Sequence, residues 1–319
     1  MSESRFGRPD DVAVQEFWDG LRRTTQARIG LGRAGDALPT RDVLEIRAAH
    51  AAARDAVHTP LDVAALAAEA AALGLGDPIH VRSLAGDRSE YLRRPDLGRL
   101  PGAVTPCAPA RPEPVPATRA RTIWSGADTA AGASVPHSGA DVGFVLADGL
   151  SPRALADHGV PMLAALAAAM GERYTLAPPV IATQARVALG DHIGAALGVT
   201  TVLVLIGERP GLSVADSLGI YLTHRPRPGR TDAERNCISN IHPPEGLTYA
   251  RAAQIATGLL DGARRLGRSG VELKDTSPAA PAVAAAVTSA PLILDAHSRP
   301  PDRARQVHPP LALDLANPD

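Results

Sequence analysis

Val202, Leu203, Val204, Leu205 and Ile206 form an unbroken apolar run that Gly207 ends. A run this long predicts a strand buried on both faces, the habit of parallel sheets. Other apolar stretches surround it. Residues 142–146 predict a strand ending at Ala147-Asp148-Gly149, Val180 and Ile181 a further one, and residues 218–222 another. Between them the spacing turns helical. Ser151-Pro152 opens a helix reaching Met170, residues 187–197 predict a short one, and Thr248 caps one with Ile255, Leu259 and Leu266 on a single face. Val271-Glu272-Leu273 is expected to close the sheet. Strands alternating with helices indicate βαβ units.

The N-terminal part reads differently. Val14, Phe17, Trp18 and Leu21 mark one face of a first helix, and Val43, Ile46, His50, Ala53 and Val57 a second. Phe17 and Trp18 are either core anchors or a patch that docks on another subunit. Thr59-Pro60 is expected to open an alanine-rich helix running to Leu73, and Ile79 and Val81 a short strand. From Pro101 the composition turns to proline, then glycine, alanine and serine, which cannot bury enough apolar surface to offset ordering entropy.

The expected architecture is therefore α/β. A helical region covers 1–100, and a Pro/Ala/Gly-rich linker or insertion covers 101–140. A Rossmann-like, mainly parallel sheet domain with flanking helices covers 141–276. A tail expected to be disordered covers 277–319.

Composition narrows the functions. The net charge of -1 gives no electrostatic reason to expect nucleic acid as a partner. The apolar runs are too short to span a bilayer, and no secretory leader is visible, so a soluble, cytoplasmic protein is expected. Cys107 and Cys237 do not suggest a disulfide framework. His50 and His58 lie on one stripe without a third ligand nearby, which argues against a metal site.

Three features bear on chemistry. Gly30-Leu31-Gly32-Arg33-Ala34-Gly35 fits a dinucleotide-binding spacing, but a polar segment precedes it where a buried strand is needed, so a turn is expected. Asp148, Glu208 and Asp216 stand next to predicted strand ends, where ligands bind in open α/β sheets. Glu208 either lines such a crevice or pairs with Arg209. Arg225, Arg227, Arg230 and Arg235 either meet an anion or pair with Asp232 and Glu234. Cys237 could pair with His242 or His224 as a nucleophile, yet no nucleophile signature surrounds it; a packing role is the expectation.

Several stretches together carry a resemblance. Ala27-Arg28-Ile29-Gly30-Leu31-Gly32-Arg33-Ala34-Gly35, Tyr91-Leu92-Arg93-Arg94-Pro95-Asp96-Leu97-Gly98 and Ala147-Asp148-Gly149-Leu150-Ser151 belong to it. So do Leu203-Val204-Leu205-Ile206-Gly207-Glu208-Arg209-Pro210-Gly211-Leu212 and Asp232-Ala233-Glu234-Arg235-Asn236-Cys237-Ile238-Ser239-Asn240. Over about residues 10–100 and 141–275 the chain resembles the small subunit of ethanolamine ammonia-lyase. The resemblance implies an adenosylcobalamin enzyme that converts ethanolamine to acetaldehyde and ammonia. It also implies a large subunit, a TIM barrel, that holds the substrate, while the small subunit covers the cofactor. The family's cobalamin contacts fall on Val187, Glu208 and Cys237, which makes 141–276 a cobalamin-binding domain. No catalytic residue and no metal ligand are expected on this chain. A D-x-H-x-x-G sequence, by which other cobalamin proteins supply a histidine, is lacking: Asp295-Ala296-His297 begins one, but Pro300 stands in the glycine position. The complex is expected in the cytoplasm, free or within a bacterial microcompartment. Two alternatives are a free-standing nucleotide-binding α/β enzyme using Gly30 to Gly35 and a non-catalytic docking scaffold.

Overall fold

The computed structural model describes residues 9–107 and 135–277. Most of the expected linker and nearly all of the expected tail lie outside these residues.

Three helices open the chain: α1 (Pro9–Arg22), α2 (Thr40–His58) and α3 (Val63–Ala71). The boundary between the last two differs from expectation. Thr59 terminates α2, and the side chain of Asp62 caps α3 by accepting from Ala65 N at 3.0 Å. The strand β1 (Ile79–Ser83), the short helix α4 (Arg88–Arg93) and the strand β2 (Pro101–Pro106) follow. β2 was read from sequence as the start of the linker. It is an edge strand, where prolines are tolerated because no ladder partner needs their missing N–H.

The rest alternates as β3 (Val142–Ala147), α5 (Pro152–Met170), β4 (Val180–Thr183), α6 (Leu189–Leu197), β5 (Thr201–Gly207), β6 (Leu218–His224), β7 (Asn236–Ile241) and α7 (Tyr249–Leu266). Sequence signals explain the helix starts. Ser151 Oγ accepts from Ala154 N at 3.2 Å to cap α5, and Thr248 Oγ1 accepts from Arg251 N at 3.3 Å to cap α7.

All seven strands form one sheet, in the order β2-β1-β4-β3-β5-β6-β7. β1, β4, β3 and β5 pair in parallel, whereas β2, β6 and β7 pair antiparallel. The sheet is thus mixed, which corrects the mainly parallel expectation. The reason lies in residues 208–217, a link too short to hold a crossover helix, so the chain returns antiparallel beside β5. Residues 271–273 also differ from expectation. They form a turn after Gly270, whose φ is 108°, and Val271 is 66% exposed.

Each residue of β5 is buried, and its alternation divides the core. Leu203 and Leu205 pack with Leu66 of α3, Leu163 and Leu166 of α5 and Leu260 of α7. Val202, Val204 and Ile206 pack on the other side with Leu189 and Ile193 of α6. Truncating one such leucine to alanine costs about 2–5 kcal/mol. Two helical layers thereby hold the sheet rigid and fix where its carboxyl ends stand.

Before α2 the glycine-rich segment forms a turn. The Trp18 ring packs on Gly30, whose φ is 59°, and Arg22 donates to the carbonyls of Ile29 and Gly30. Backbone carbonyls are thus turned to a cation here, the opposite of a phosphate cradle, which needs N–H groups.

Candidate functional site

Beyond the carboxyl ends of β3, β4 and β5 lies a cleft of ≈ 280 Å³, lined by Tyr91, Gly149, Arg186, Val187, Glu208 and Tyr221 among others. Its floor needs two glycines. Gly149, at φ 56°, passes so close to Gly207 O that a Cβ would collide with it, and a Cβ on Gly207 would strike Ser151 O. Leu150 N donates to Gly207 O at 2.9 Å, and Ser151 Oγ donates to Ala215 O at 2.9 Å. The turn after β3 is thereby locked to the loop after β5.

Glu208 rises from that loop as the first side chain past β5. Ser217 Oγ donates to its Oε2 at 2.5 Å and Asn240 N to the same oxygen at 3.2 Å. Glu208 therefore does not pair with Arg209; its carboxylate faces the cleft. Val187, half-buried in the link from β4 to α6, contributes an apolar patch. Cys237 stands on β7 opposite Tyr221 in register, beside the ring that lines the cleft wall.

Desolvation, then the Glu208 charge, holds the Cys237 thiol above its ordinary pKa despite the nearby Tyr221 hydroxyl. It is a thiol at neutral pH, not a nucleophilic thiolate. Neither candidate histidine serves it. His224 Nδ1 is shared with Thr201 Oγ1 at 2.9 Å, and both ring nitrogens of His242 are buried without a hydrogen-bond partner among the described residues.

A second polar cluster backs the cleft. Asp148 is buried and accepts from Gln184 N at 2.8 Å and Ala185 N at 2.9 Å, with the Arg88 guanidinium 3.6 Å away. Burial outweighs those partners and raises its pKa to about 6. Arg88 and Arg186 stack on the ring of the fully buried Tyr91, 4.7 Å and 4.4 Å from its centroid. Tyr91 in turn donates to Ala185 O at 3.0 Å.

The expected carboxylate-lined crevice is therefore not formed as such. Asp148 works inside the wall, and Asp216 pairs with Arg153 at 3.4 Å, so Glu208 alone of the three lines the cleft. The basic loop is partly neutralised. Arg230 pairs with Glu234, and Arg235 makes a buried bidentate pair with Asp191 at 2.6 and 2.7 Å. Sequence reasoning missed Arg186 and Tyr221 as cleft residues. Among the described residues, no group of three His, Cys, Asp or Glu side chains is placed to hold a metal ion. No described helix is long and apolar enough to cross a membrane.

A mixed sheet covered on both faces, with a cleft past its parallel strand ends, defines an α/β protein whose candidate site lies there. Comparison with known proteins places it further. The family model of the ethanolamine ammonia-lyase light chain matches residues 15–105 and 125–274. The chain is 60% identical over 270 residues to the ethanolamine ammonia-lyase small subunit of Rhodococcus erythropolis, covering 85% of this chain and 94% of that protein. It is 45% identical over 278 residues to that of Ralstonia nicotianae (87% and 94% covered) and 47% identical over 270 residues to that of Azotobacter vinelandii (84% and 92% covered). The chain belongs to the ethanolamine ammonia-lyase small-subunit family.

Proposed function

We propose that this chain covers the adenosylcobalamin of an ethanolamine ammonia-lyase, against a large TIM-barrel subunit that holds ethanolamine. The complex converts ethanolamine to acetaldehyde and ammonia. One observation carries the reading: Val187 and Glu208, on loops after different strands, line the same cleft, and the exposed Cys237 stands beside Tyr221 of its wall.

The residues fit the cofactor's periphery. A corrin rim carries primary amide groups that donate and accept hydrogen bonds. Glu208 Oε2 is occupied by Ser217 and Asn240, whereas Oε1 accepts from no donor among the described residues. That oxygen suits an amide N–H, Val187 an apolar edge, and Cys237 a soft contact. The cleft is much smaller than a whole corrin, so it grips an edge and leaves the remainder to the large subunit.

The cofactor, when bound, supplies radical chemistry by homolysis of its cobalt–carbon bond. This chain's residues bind and orient it and exclude water on one side. None of them is assigned a step in the reaction, so the chain is inactive without its partner. The complex works in the cytoplasm, free or in a microcompartment.

The test is to purify the full chain alone and with its large subunit. Cobalamin should co-purify with the complex and poorly with the chain, and only the complex should turn over ethanolamine. A complex that binds no cobalamin, or a chain active by itself, overturns the reading.

A further inference from the structure

Arg186 is a cation without a counter-ion among the described residues. No carboxylate among the described residues lies within ion-pair distance of it, and its Nε is buried without a hydrogen-bond partner. Among the described residues its side chain donates one hydrogen bond, a long one, 3.5 Å from Nη2 to Tyr91 O. A guanidinium has five N–H donors, and leaving them unused in a desolvated place is costly. The neighbouring Arg88 also has one buried nitrogen, Nη2, without a partner, but it donates to Val57 O at 2.7 Å and Gly149 O at 2.9 Å and faces Asp148.

The side chain is nonetheless held in place. Its guanidinium stacks on Tyr91, and its stem packs so closely over Gly98 that a Cβ there would come within 3.0 Å of Arg186 Cγ. The backbone is fixed too, Arg186 N donating to Gly98 O at 2.8 Å. A rigid, unpaired donor therefore lines the same cleft as Glu208. The cleft thus presents an acceptor and a multiple donor as separate groups, no ion pair joining them.

Resting on the cofactor reading above, we infer that Arg186 is a further ligand-holding residue, donating to a carbonyl oxygen of a primary amide on the bound corrin rim. A primary amide is matched by this arrangement, since its N–H₂ suits Glu208 and its C=O suits Arg186. A phosphate oxygen would also accept from Arg186, but the Glu208 carboxylate in the same cleft opposes a second anion.

The experiment uses the complex with the large subunit and follows the binding of cyanocobalamin and of cobinamide by absorbance titration. Cobinamide keeps the corrin amides and lacks the nucleotide phosphate. Arg186→Met should weaken both by about ten- to hundred-fold, the loss expected for a hydrogen bond to a charged group. Arg186→Lys, which keeps the charge but not the fork, should recover part of the loss. It carries the test by itself if the Met variant does not assemble, expected then to weaken both ligands measurably. Unchanged affinity in an assembled variant, or loss for cyanocobalamin alone, overturns the inference. A parent complex that binds neither ligand refutes the cofactor reading itself, so the two failures are distinct.

Discussion

Gly219 lies directly beneath the Glu208 carboxylate: a Cβ on it would stand 2.8 Å from Oε1 and 3.3 Å from Cγ. The atoms met belong to the end of a flexible side chain, which can swing away, so Gly219→Ala should leave stability within about 1 kcal/mol. It should nonetheless push Oε1 out of place and raise the cobalamin dissociation constant of the complex severalfold. Thermal melting and cofactor titration of the same variant check both halves.

Glu208→Gln keeps the shape and is the more direct probe. Its carbonyl can take over the bonds from Ser217 and Asn240, which turns its N–H₂ toward the cleft, where an acceptor is wanted. An unpaired donor facing another donor costs roughly 1.5–3 kcal/mol, about a ten- to hundred-fold rise in the dissociation constant. Turnover at saturating cofactor should fall far less. Cys237→Ser, removing only a soft contact, should weaken binding mildly and leave turnover in place. Steady-state kinetics against cofactor concentration separate these outcomes.

Asp148 predicts a pH signature. Its pKa is raised from 3.8 to about 6, so between those values the folded chain holds a proton that the unfolded chain has lost. Stability from this group is full below about pH 4, falls as pH rises to about 6, and is flat above. In Asp148→Asn that fall is absent. At 1.36 kcal/mol per pKa unit, the stability difference between variant and parent should shift by up to about 3 kcal/mol in the variant's favour between pH 4 and 7. Urea titrations of the full chain at several pH values measure it.

The Asp191–Arg235 pair, with both side chains at most 2% exposed, ties α6 to the start of β7. Asp191→Ala strands a buried guanidinium whose remaining partners are Thr223, at 3.0 Å, Arg230 O and the largely exposed Asp232. The cost should be about 3–5 kcal/mol. The double variant Asp191→Leu, Arg235→Met should lose much less, because no charge is left buried. Denaturant midpoints of the two variants decide this.

What the sequence disclosed followed from how local each signal is. The apolar run of β5 and the caps Ser151 and Thr248 are set by adjacent residues, and those elements form as read. Direction is a pairing property, and the length of the link 208–217 was the only clue that β6 runs antiparallel. β7 stayed hidden because Asn236, Ser239 and Asn240 interrupt any apolar pattern, and β2 because prolines begin and end it. Glu208 was legible as a site candidate through its place after a strand end. Arg186 was not, because a cation's lack of a partner exists only in three dimensions.

The chain leaves the sheet at Pro106, paired with Ile79 at the amino end of β1, and re-enters at Val142, the amino end of β3. The cleft opens at the carboxyl ends of those parallel strands. The family match also lapses between residues 105 and 125. A reporter domain or affinity tag spliced into this polypeptide just after Pro106 therefore departs from the end of the sheet opposite the cleft.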